Sequence, residues 1–564
     1  MLQAASHRGH LVELHSLGAV TVGAVHRHAD EVSVAADGAW LVLVVGPVDE
    51  AVPRTPPGLT AAQGLLHSFA ATGDAVLPEL RGCFSAVVTD GSSLWAWRDQ
   101  LGTQPLFYRC ERGVSWVATE ARQVLVGAGR PAEVDLDVVA DIFYGCYDDD
   151  TPVALKGVTR LPKASVLRTS GTGAHVRRYW DPTPLIETAG PIGRAQVQET
   201  FDRLMSQAVD RCLRGHDVVS LSGGVDSPAV AAYGAPLHAR RYGRPLPALS
   251  AVYPRFPSVD ESGWIDLVAG RLGMPLVTFE PSGMHLGPLA ELSARLDGPV
   301  PTVWFSEIDE FYRRAAQLGY RTILTGECAE YVIEMRAGLL PYLVKNGRWS
   351  GVRRLLAAQR RGGGARSIIA RSLLAAAVPD PLLRAYRRDR RSPDLLQVPD
   401  FVDGSRLNST DRALSVPRRR RWRLEQLEAF HGPGLSMEAD TLIQDEHGVL
   451  VRRPWLDVDL WEFFLSLRAE DKFPGTRYKA LVKMLLRGRL PDELLDRRTF
   501  TSFDATIMDR VDYPALERWL RAPQWRMPGV DYAQLGRRLD AQDLTLHDYI
   551  FAKDLATAHA FVQA

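Results

Sequence analysis

The segment Val218-Val-Ser-Leu-Ser-Gly-Gly-Val-Asp-Ser227 constrains this chain more than any other. Residues 217–221 read as a buried strand, and Ser222-Gly-Gly-Val-Asp-Ser227 turns from it into a helix. Glycines let the backbone approach a ligand closely, amide N–H groups converge in such a turn, and the helix N-terminus is partly positive. The segment therefore reads as an anion site, with Ser222 and Ser227 adding hydroxyl donors. Asp226 would repel a phosphate unless a cation lay between them, so Mg2+ is expected there. It is not a Walker A loop, because Gly-Lys-Ser/Thr is absent, and it is not GxGxxG.

The surroundings extend this strand into a sheet. Residues 247–253, 275–279 and 321–324 read as further strands, with helices over 260–271 and 307–318 between them. Strands alternating with helices mean an α/β, parallel, doubly wound sheet. A helix over 197–213 leads in, and beyond 330 the chain reads as mostly helical. Residues 1 to about 185 follow a different pattern. Short β-rich runs at 32–35, 40–45, 85–89, 94–97 and 114–117 are separated by Gly and Asp clusters, with a helical stretch at 60–71. That is an α+β pattern. Two domains are expected, 1–185 and 186–564, each long enough to bury its own core.

Lys plus Arg and Asp plus Glu both number 67, so the net charge is zero. This argues against a surface that coats nucleic acid or anionic membrane, and no nucleic-acid partner is expected. The balance conceals segregation: residues 351–391 hold eleven arginines against two aspartates, and a second arginine run follows at 418–423. Such a stretch is either a set of solvated helix faces or a docking face for an acidic partner or polyphosphate. Lysine occurs at only seven positions, so a lysine inside a motif carries more information than usual. The five cysteines, Cys83, Cys110, Cys146, Cys212 and Cys328, are scattered without CxxC spacing, which reads as free thiols in a reducing compartment. No run approaches the roughly 20 apolar residues of a membrane span. Arg8, His10, Glu13 and His15 interrupt the region before the apolar 17–25 stretch, unlike a signal peptide. A cytoplasmic protein is expected.

Ser-Gly-Gly-x-Asp-Ser after a strand resembles the pyrophosphate loop of the PP-loop ATPases, which cleave ATP between the α and β phosphates. Leu80-Arg-Gly-Cys-Phe84, the run from Arg98 to Tyr108, Thr119-Glu120, Leu161-Pro-Lys163 and Arg178-Tyr-Trp-Asp-Pro182 resemble the amino-terminal domain of asparagine synthetases. Arg452-Arg-Pro-Trp-Leu-Asp457 resembles that family's Arg-x-Pro-Phe-Leu-Asp segment, and Lys479-Ala-Leu-Val-Lys483 with Leu490-Pro491 its Lys-x-x-x-Arg…Leu-Pro segment. The resemblance runs in order along nearly the whole chain. It implies an Ntn-hydrolase-like α+β domain followed by a PP-loop parallel-sheet domain, of the adenine nucleotide α-hydrolase type, with a helical extension. Asparagine synthetases take ammonia from glutamine with an amino-terminal cysteine. Here position 2 is Leu2, and no cysteine precedes Cys83, so this domain is expected to lack its nucleophile.

Without that ammonia supply another amine is expected to attack. Two related groups fit, the β-lactam synthetases and the lasso peptide cyclases, which adenylate a carboxylate and let an amine of the same molecule attack it. The segment Tyr342-Leu-Val-Lys-Asn-Gly-Arg-Trp349 and the arginine-rich region beyond it look like the insertion of the lasso cyclases. That resemblance implies a short precursor peptide as substrate, a leader peptidase and a leader-binding protein as partners, and an isopeptide bond from the peptide's N-terminal amine to an Asp or Glu side chain. It also predicts a large, partly open cavity between the domains. By resemblance, Leu221, Val252 and Gly326 would hold the adenosine part of ATP, and Ser222, Gly223, Gly224 and Ser227 the pyrophosphate. Asp226 and Glu330 would hold Mg2+, Lys479 would stabilise charge at the reacting centre, and Glu327 would take a proton from the amine. The family's Gly-Glu-Gly-x-Asp appears here as Gly326-Glu-Cys-Ala-Glu330, and Leu450 stands where many relatives carry Glu. A small-substrate synthetase of the β-lactam type is the first alternative, and a nucleotide-binding scaffold without catalysis the second.

Overall fold

A computed structural model describes the chain apart from 29–30, 51–57, 146–152, 171–172, most of 283–304, 335–338, most of 362–397, most of 408–433, 475–477, 498–500 and 502. Cys146 and most of the two arginine-rich stretches fall outside the described residues.

The amino-terminal region is built on a six-stranded antiparallel sheet, in the order Gly173–Arg178, Ser165–Ser170, Leu94–Arg98, Ser85–Thr89, Leu41–Val45 and Val32–Ala36. Alternate residues of a strand face opposite sides, and this sheet is covered on both. Val42, Val44, Ala86, Val88, Trp97 and Val166 pack with Leu65 and Phe69 of the Ala61–Thr72 helix. Leu41, Leu43, Val87, Ala96 and Leu167 pack on the other face with Val22 and Ala24. The helix is started by a capping box between Thr60 and Gln63. The apolar 17–25 stretch is the turn and second strand of a hairpin, Leu11–Leu17 with Val20–His26. Arg98, fully buried, donates to the carbonyls of Gln104, Leu161 and Gly102 at 2.7–2.9 Å. Asp99 caps the turn through the N–H and hydroxyl of Thr103. The asparagine-synthetase-like run from Arg98 onward thus serves as scaffold.

The second region holds a five-stranded, fully parallel sheet, ordered Leu276–Phe279, Ala248–Ala251, Asp217–Ser220, Thr322–Leu324 and Leu450–Arg452. Its first four strands fall where the alternating pattern places them. The fifth adds one short strand to a second half that is otherwise mostly helical, as expected. Three residues are too few for a periodic signal, and only pairing with Thr322–Leu324 makes Leu450–Arg452 a strand. Among the described residues, no helix is long and apolar enough to cross a membrane.

One apolar core crosses between the two regions, from Val42 and Phe84 to Trp455 and Phe464. Ion pairs reinforce the seam. Arg452 is 1% exposed and pairs with Asp49, which also accepts from Arg214 at 3.1 Å. Arg211 bridges Asp457 and Asp459, and Asp459 is shared with Arg81 at 2.8 Å. Arg160, also 1% exposed, makes a two-pronged pair with Glu438 at 2.6 and 2.7 Å. Removing one member of a buried pair strands the other charge, at a cost of about 3–5 kcal/mol. Because Arg214 would still partner Asp49, Arg452→Met is expected to lower the unfolding free energy by about 3 kcal/mol, at the low end of that range. Denaturant unfolding measures this, and a loss below about 1 kcal/mol, the worth of an exposed pair, would remove Arg452 from the seam.

Candidate active site

The Asp217–Ser220 strand pairs with Ala248–Ala251 on one side and Thr322–Leu324 on the other, so the strand order reverses beside it. Ligands of open α/β sheets bind at the carboxyl ends of the strands at this point. The turns after the Asp217–Ser220 and Thr322–Leu324 strands meet here. A Cβ on Gly326 would lie 2.2 Å from the Ser227 nitrogen, so only glycine lets the two turns touch. Ser227 Oγ accepts from the Ser222 N–H and hydrogen-bonds its hydroxyl, both at 2.9 Å, which closes the loop. The Asp226–Tyr242 helix starts at its end, so the partly positive helix terminus faces the same place. Trp455 Nε1 braces it by donating to the Asp226 carbonyl at 3.1 Å.

Asp226 forms an ion pair with Lys479, whose side chain is 7% exposed. Lys479 adopts a left-handed backbone with φ of 54°, an unusual state for a non-glycine residue, and its N–H donates to Glu334 at 2.8 Å. Burial opposes the Lys479 ammonium, but the charge and hydrogen bond of Asp226 prevail and hold its pKa above the ordinary lysine value. Burial lifts the Asp226 carboxyl above the usual aspartate range although Lys479 pulls it down. Glu330, on the short Ala329–Ile333 helix, is likewise lifted by desolvation and by the charge of Asp226. Asp226 Oδ1 is buried with no hydrogen-bond partner among the described residues. An orphaned carboxylate oxygen with a second carboxylate nearby fits Mg2+, which takes one or two carboxylates together with phosphate oxygens. Among the described residues there is no group of three or more His, Cys, Asp or Glu that could hold a metal by itself.

Glu327 accepts from Arg453 Nε at 2.8 Å. Arg453 also pairs with Asp440, to which Tyr312 and Gln444 donate at 2.6 Å. Leu450, at the start of the fifth strand, is half-buried and supplies no carboxylate. Cys328 precedes the Glu330 helix in a left-handed conformation, φ 67°, and burial pushes its thiol up.

The structure brings Ser222, Gly223, Gly224, Asp226, Ser227, Gly326 and Lys479 together, with Glu330 alongside. Glu327 shares the turn but is turned to Arg453. Leu221 and Val252 lie at the ends of their strands, with their N–H groups bound to the carbonyls of Leu249 and Phe279. Adenosine recognition by these two residues is therefore limited to carbonyls and side chains. Glu334 and Arg453 adjoin these residues, as do Glu261, which accepts from the Gly223 N–H at 3.0 Å, and its partner Arg497 at 2.9 Å; all four were missed by sequence reasoning. Arg453 lay inside a quoted motif at a position the resemblance leaves open; the other three carry no local signal. Among the described residues, cavities of about 170 and 20 Å3 lie at the seam, lined by His7, Arg27 and Ile443 in one and Arg8, Glu120 and Asp297 in the other. Neither includes a predicted site residue, and residues 335–338 and 475–477, next to Glu334 and Lys479, lie outside the described set.

A family profile described as asparagine synthase matches residues 200–527, and one described as a glutamine amidotransferase domain matches 59–180. Asparagine synthetase [glutamine-hydrolyzing] 3 of Bacillus subtilis (strain 168) is 25% identical over 460 residues, covering 77% of this chain and 69% of that protein. Among solved structures, glutamine phosphoribosylpyrophosphate amidotransferase from B. subtilis, complexed with ADP and GMP, aligns at 10% identity and a TM-score of 0.23, covering 57% of this chain and 77% of that one. A structure titled as the allosteric regulatory enzyme of purine biosynthesis aligns at 12% identity and a TM-score of 0.21, covering 42% and 52%. Superpositions this loose carry no functional argument.

The contact between the two turns is directly testable. Gly326→Ala is expected to push the Ser227 backbone aside and weaken nucleotide binding at least tenfold, about 1.4 kcal/mol. Titration calorimetry with ATP measures it, and unchanged affinity would show that the turns move independently.

Proposed function

The chain belongs to the asparagine synthase family, an ATP-dependent, amide-bond-forming group, and from that premise we propose that it is a lasso peptide cyclase. In this reading it joins an Asp or Glu side chain of a short peptide to that peptide's own N-terminal amine. The observation that carries the choice is the absence of an activated thiol among the described cysteines. Burial pushes Cys83 up to about 12 and Cys212 up to about 11. Cys328 is raised as well, and Cys110 is exposed on the Phe107–Glu111 strand, where it accepts from Ser115. Glutamine hydrolysis needs a thiolate, and in this reading the amine comes from the substrate itself instead. Two of the five segments that resemble the amidotransferase domain, around Arg98 and Tyr179, serve packing, which fits a domain kept for shape.

The residues divide the work as follows. Ser222, Gly223, Gly224 and Ser227 hold the pyrophosphate end of ATP. Asp226 and Glu330 would hold Mg2+, whose charge offsets that of the phosphates. The peptide carboxylate attacks the α-phosphorus, the bond to the bridging oxygen breaks, and pyrophosphate leaves an acyl adenylate. Lys479 stabilises the charge that develops on the oxygens in this step and in the next. The amine then attacks the acyl carbon and AMP departs. Glu327, held by Arg453, accepts a hydrogen bond from the amine and takes its proton as the C–N bond forms and the bond to AMP breaks. An acyl adenylate is already activated, so holding the amine against it matters more than base strength.

Mass spectrometry of a leaderless peptide incubated with the protein and ATP tests the reading. Loss of one water with a blocked N-terminus, alongside AMP and pyrophosphate, is expected. Turnover of a small amino acid with none of any peptide would overturn it. Lys479→Met is expected to lower ATP–pyrophosphate exchange about 100-fold or more, the usual loss for a group that stabilises transition-state charge; near-normal exchange would remove Lys479 from the chemistry.

A further inference from the structure

One contact of the pyrophosphate loop is not explained by its fold. Gly223 N–H, one of the donors aimed at phosphate, is held at 3.0 Å by the carboxylate of Glu261. Glu261 lies just before the Ser262–Leu272 helix and presses on the loop: a Cβ on Gly223 would sit 2.7 Å from Glu261 Cβ and 2.9 Å from Trp264 Cβ. Its other oxygen accepts from Arg497 at 2.9 Å and from the Thr501 hydroxyl at 2.5 Å. Arg497 also donates to the Gly223 carbonyl at 2.9 Å and to Thr501 Oγ1 at 2.6 Å, and lies over the Trp264 ring at 5.4 Å. Both side chains are mostly shielded from water, 15% exposed for Arg497 and 11% for Glu261. Lys483 joins the same corner by donating to the Arg497 carbonyl at 2.9 Å.

A carboxylate on a phosphate-loop N–H is chemically an anion in a phosphate's place. A pyrophosphate oxygen can take that N–H only if the carboxylate withdraws. Withdrawal leaves Arg497 without its partner, beside the loop and beside a ligand of high negative charge. An arginine fork suits a phosphate as well as it suits a carboxylate. We propose that Glu261 is an internal competitor for the pyrophosphate loop and that Arg497, which it restrains, is a pyrophosphate-binding residue. The exchange of one anion for another keeps the corner's charge paired whether Glu261 or pyrophosphate is on the loop. It also weakens the hold on pyrophosphate after adenylation, since Glu261 can return to the N–H and help to expel it. This inference rests on the ATP-site reading above and adds two residues to it.

The test reads the sign of a change in affinity. Binding of inorganic pyrophosphate and of ATP, each in magnesium buffer, is measured by titration calorimetry on the full chain. Glu261→Gln is expected to bind pyrophosphate three- to tenfold more tightly, because a neutral amide competes less well than a carboxylate. Arg497→Gln is expected to bind it at least tenfold more weakly, with Arg497→Lys recovering part of the loss and adenosine binding unchanged in both. Thermal unfolding of each variant identifies any that has lost its fold. Glu261→Asp, which keeps the charge but is too short to reach Gly223, then serves in place of Glu261→Gln, with tighter pyrophosphate binding again expected. Wild-type protein that binds neither ATP nor pyrophosphate overturns the ATP-site reading itself. Wild-type binding with unchanged or weaker pyrophosphate affinity in both Glu261 variants overturns the competitor alone, and makes Glu261 a brace for the loop.

Discussion

Two consecutive arginines, Arg452 at the end of the fifth strand of the parallel sheet and Arg453 just after it, hold much of this molecule in register. Successive side chains of extended backbone point to opposite sides. Arg452 enters the seam between the regions and meets Asp49, whereas Arg453 turns to the site and meets Glu327 and Asp440. A buried cation costs several kcal/mol unless it is paired, so each arginine dictates where carboxylates must lie. One three-residue strand thereby couples the amino-terminal region to the turn that carries Glu327, Cys328 and Glu330. The backbone ties are equally direct: the Thr325 N–H donates to the Arg452 carbonyl, and the Leu450 N–H to that of Arg321.

Within the site, charge is arranged in opposed pairs. Lys479 faces Asp226, Arg453 faces Glu327, and Arg497 faces Glu261. A polyphosphate entering such a site would compete with these carboxylates for the same cations. The backbone shows the same purpose. Lys479 and Cys328, both non-glycine residues with left-handed φ, stand in the candidate site, and such strain persists only where surrounding contacts impose it. For Lys479 those contacts are Glu334 on its N–H and Asp226 on its ammonium.

The parallel sheet was legible because each of its first four strands is an apolar run followed by a helix or a turn, a pattern held in local order. The loop at 222–227 was legible for the same reason, since its glycines and hydroxyls are contiguous. Lys479 could be found through the resemblance of Lys479-Ala-Leu-Val-Lys483 to the family's Lys-x-x-x-Arg segment, with the rarity of lysine in support. Glu261 and Arg497 could not. They stand 236 positions apart, and what makes them partners is a contact across the mouth of the loop. Glu334 and Arg453 were hidden similarly, one just past the end of a five-residue helix and one at an unassigned motif position. The fifth strand was invisible because a three-residue element has no period.

Local chemistry alone therefore determined that this chain has a phosphate-type loop after a strand, a doubly wound sheet behind it, and an amino-terminal α+β region of different pattern. These follow from contiguous residues whose spacing sets backbone and side-chain direction. Only the tertiary structure decided which charges oppose one another: that Asp226 is spent on Lys479, that Glu327 is restrained by Arg453, and that a carboxylate of the chain itself sits on the Gly223 N–H. The physical reason is that ion pairing depends on distance in space, which long-range packing sets and sequence spacing does not.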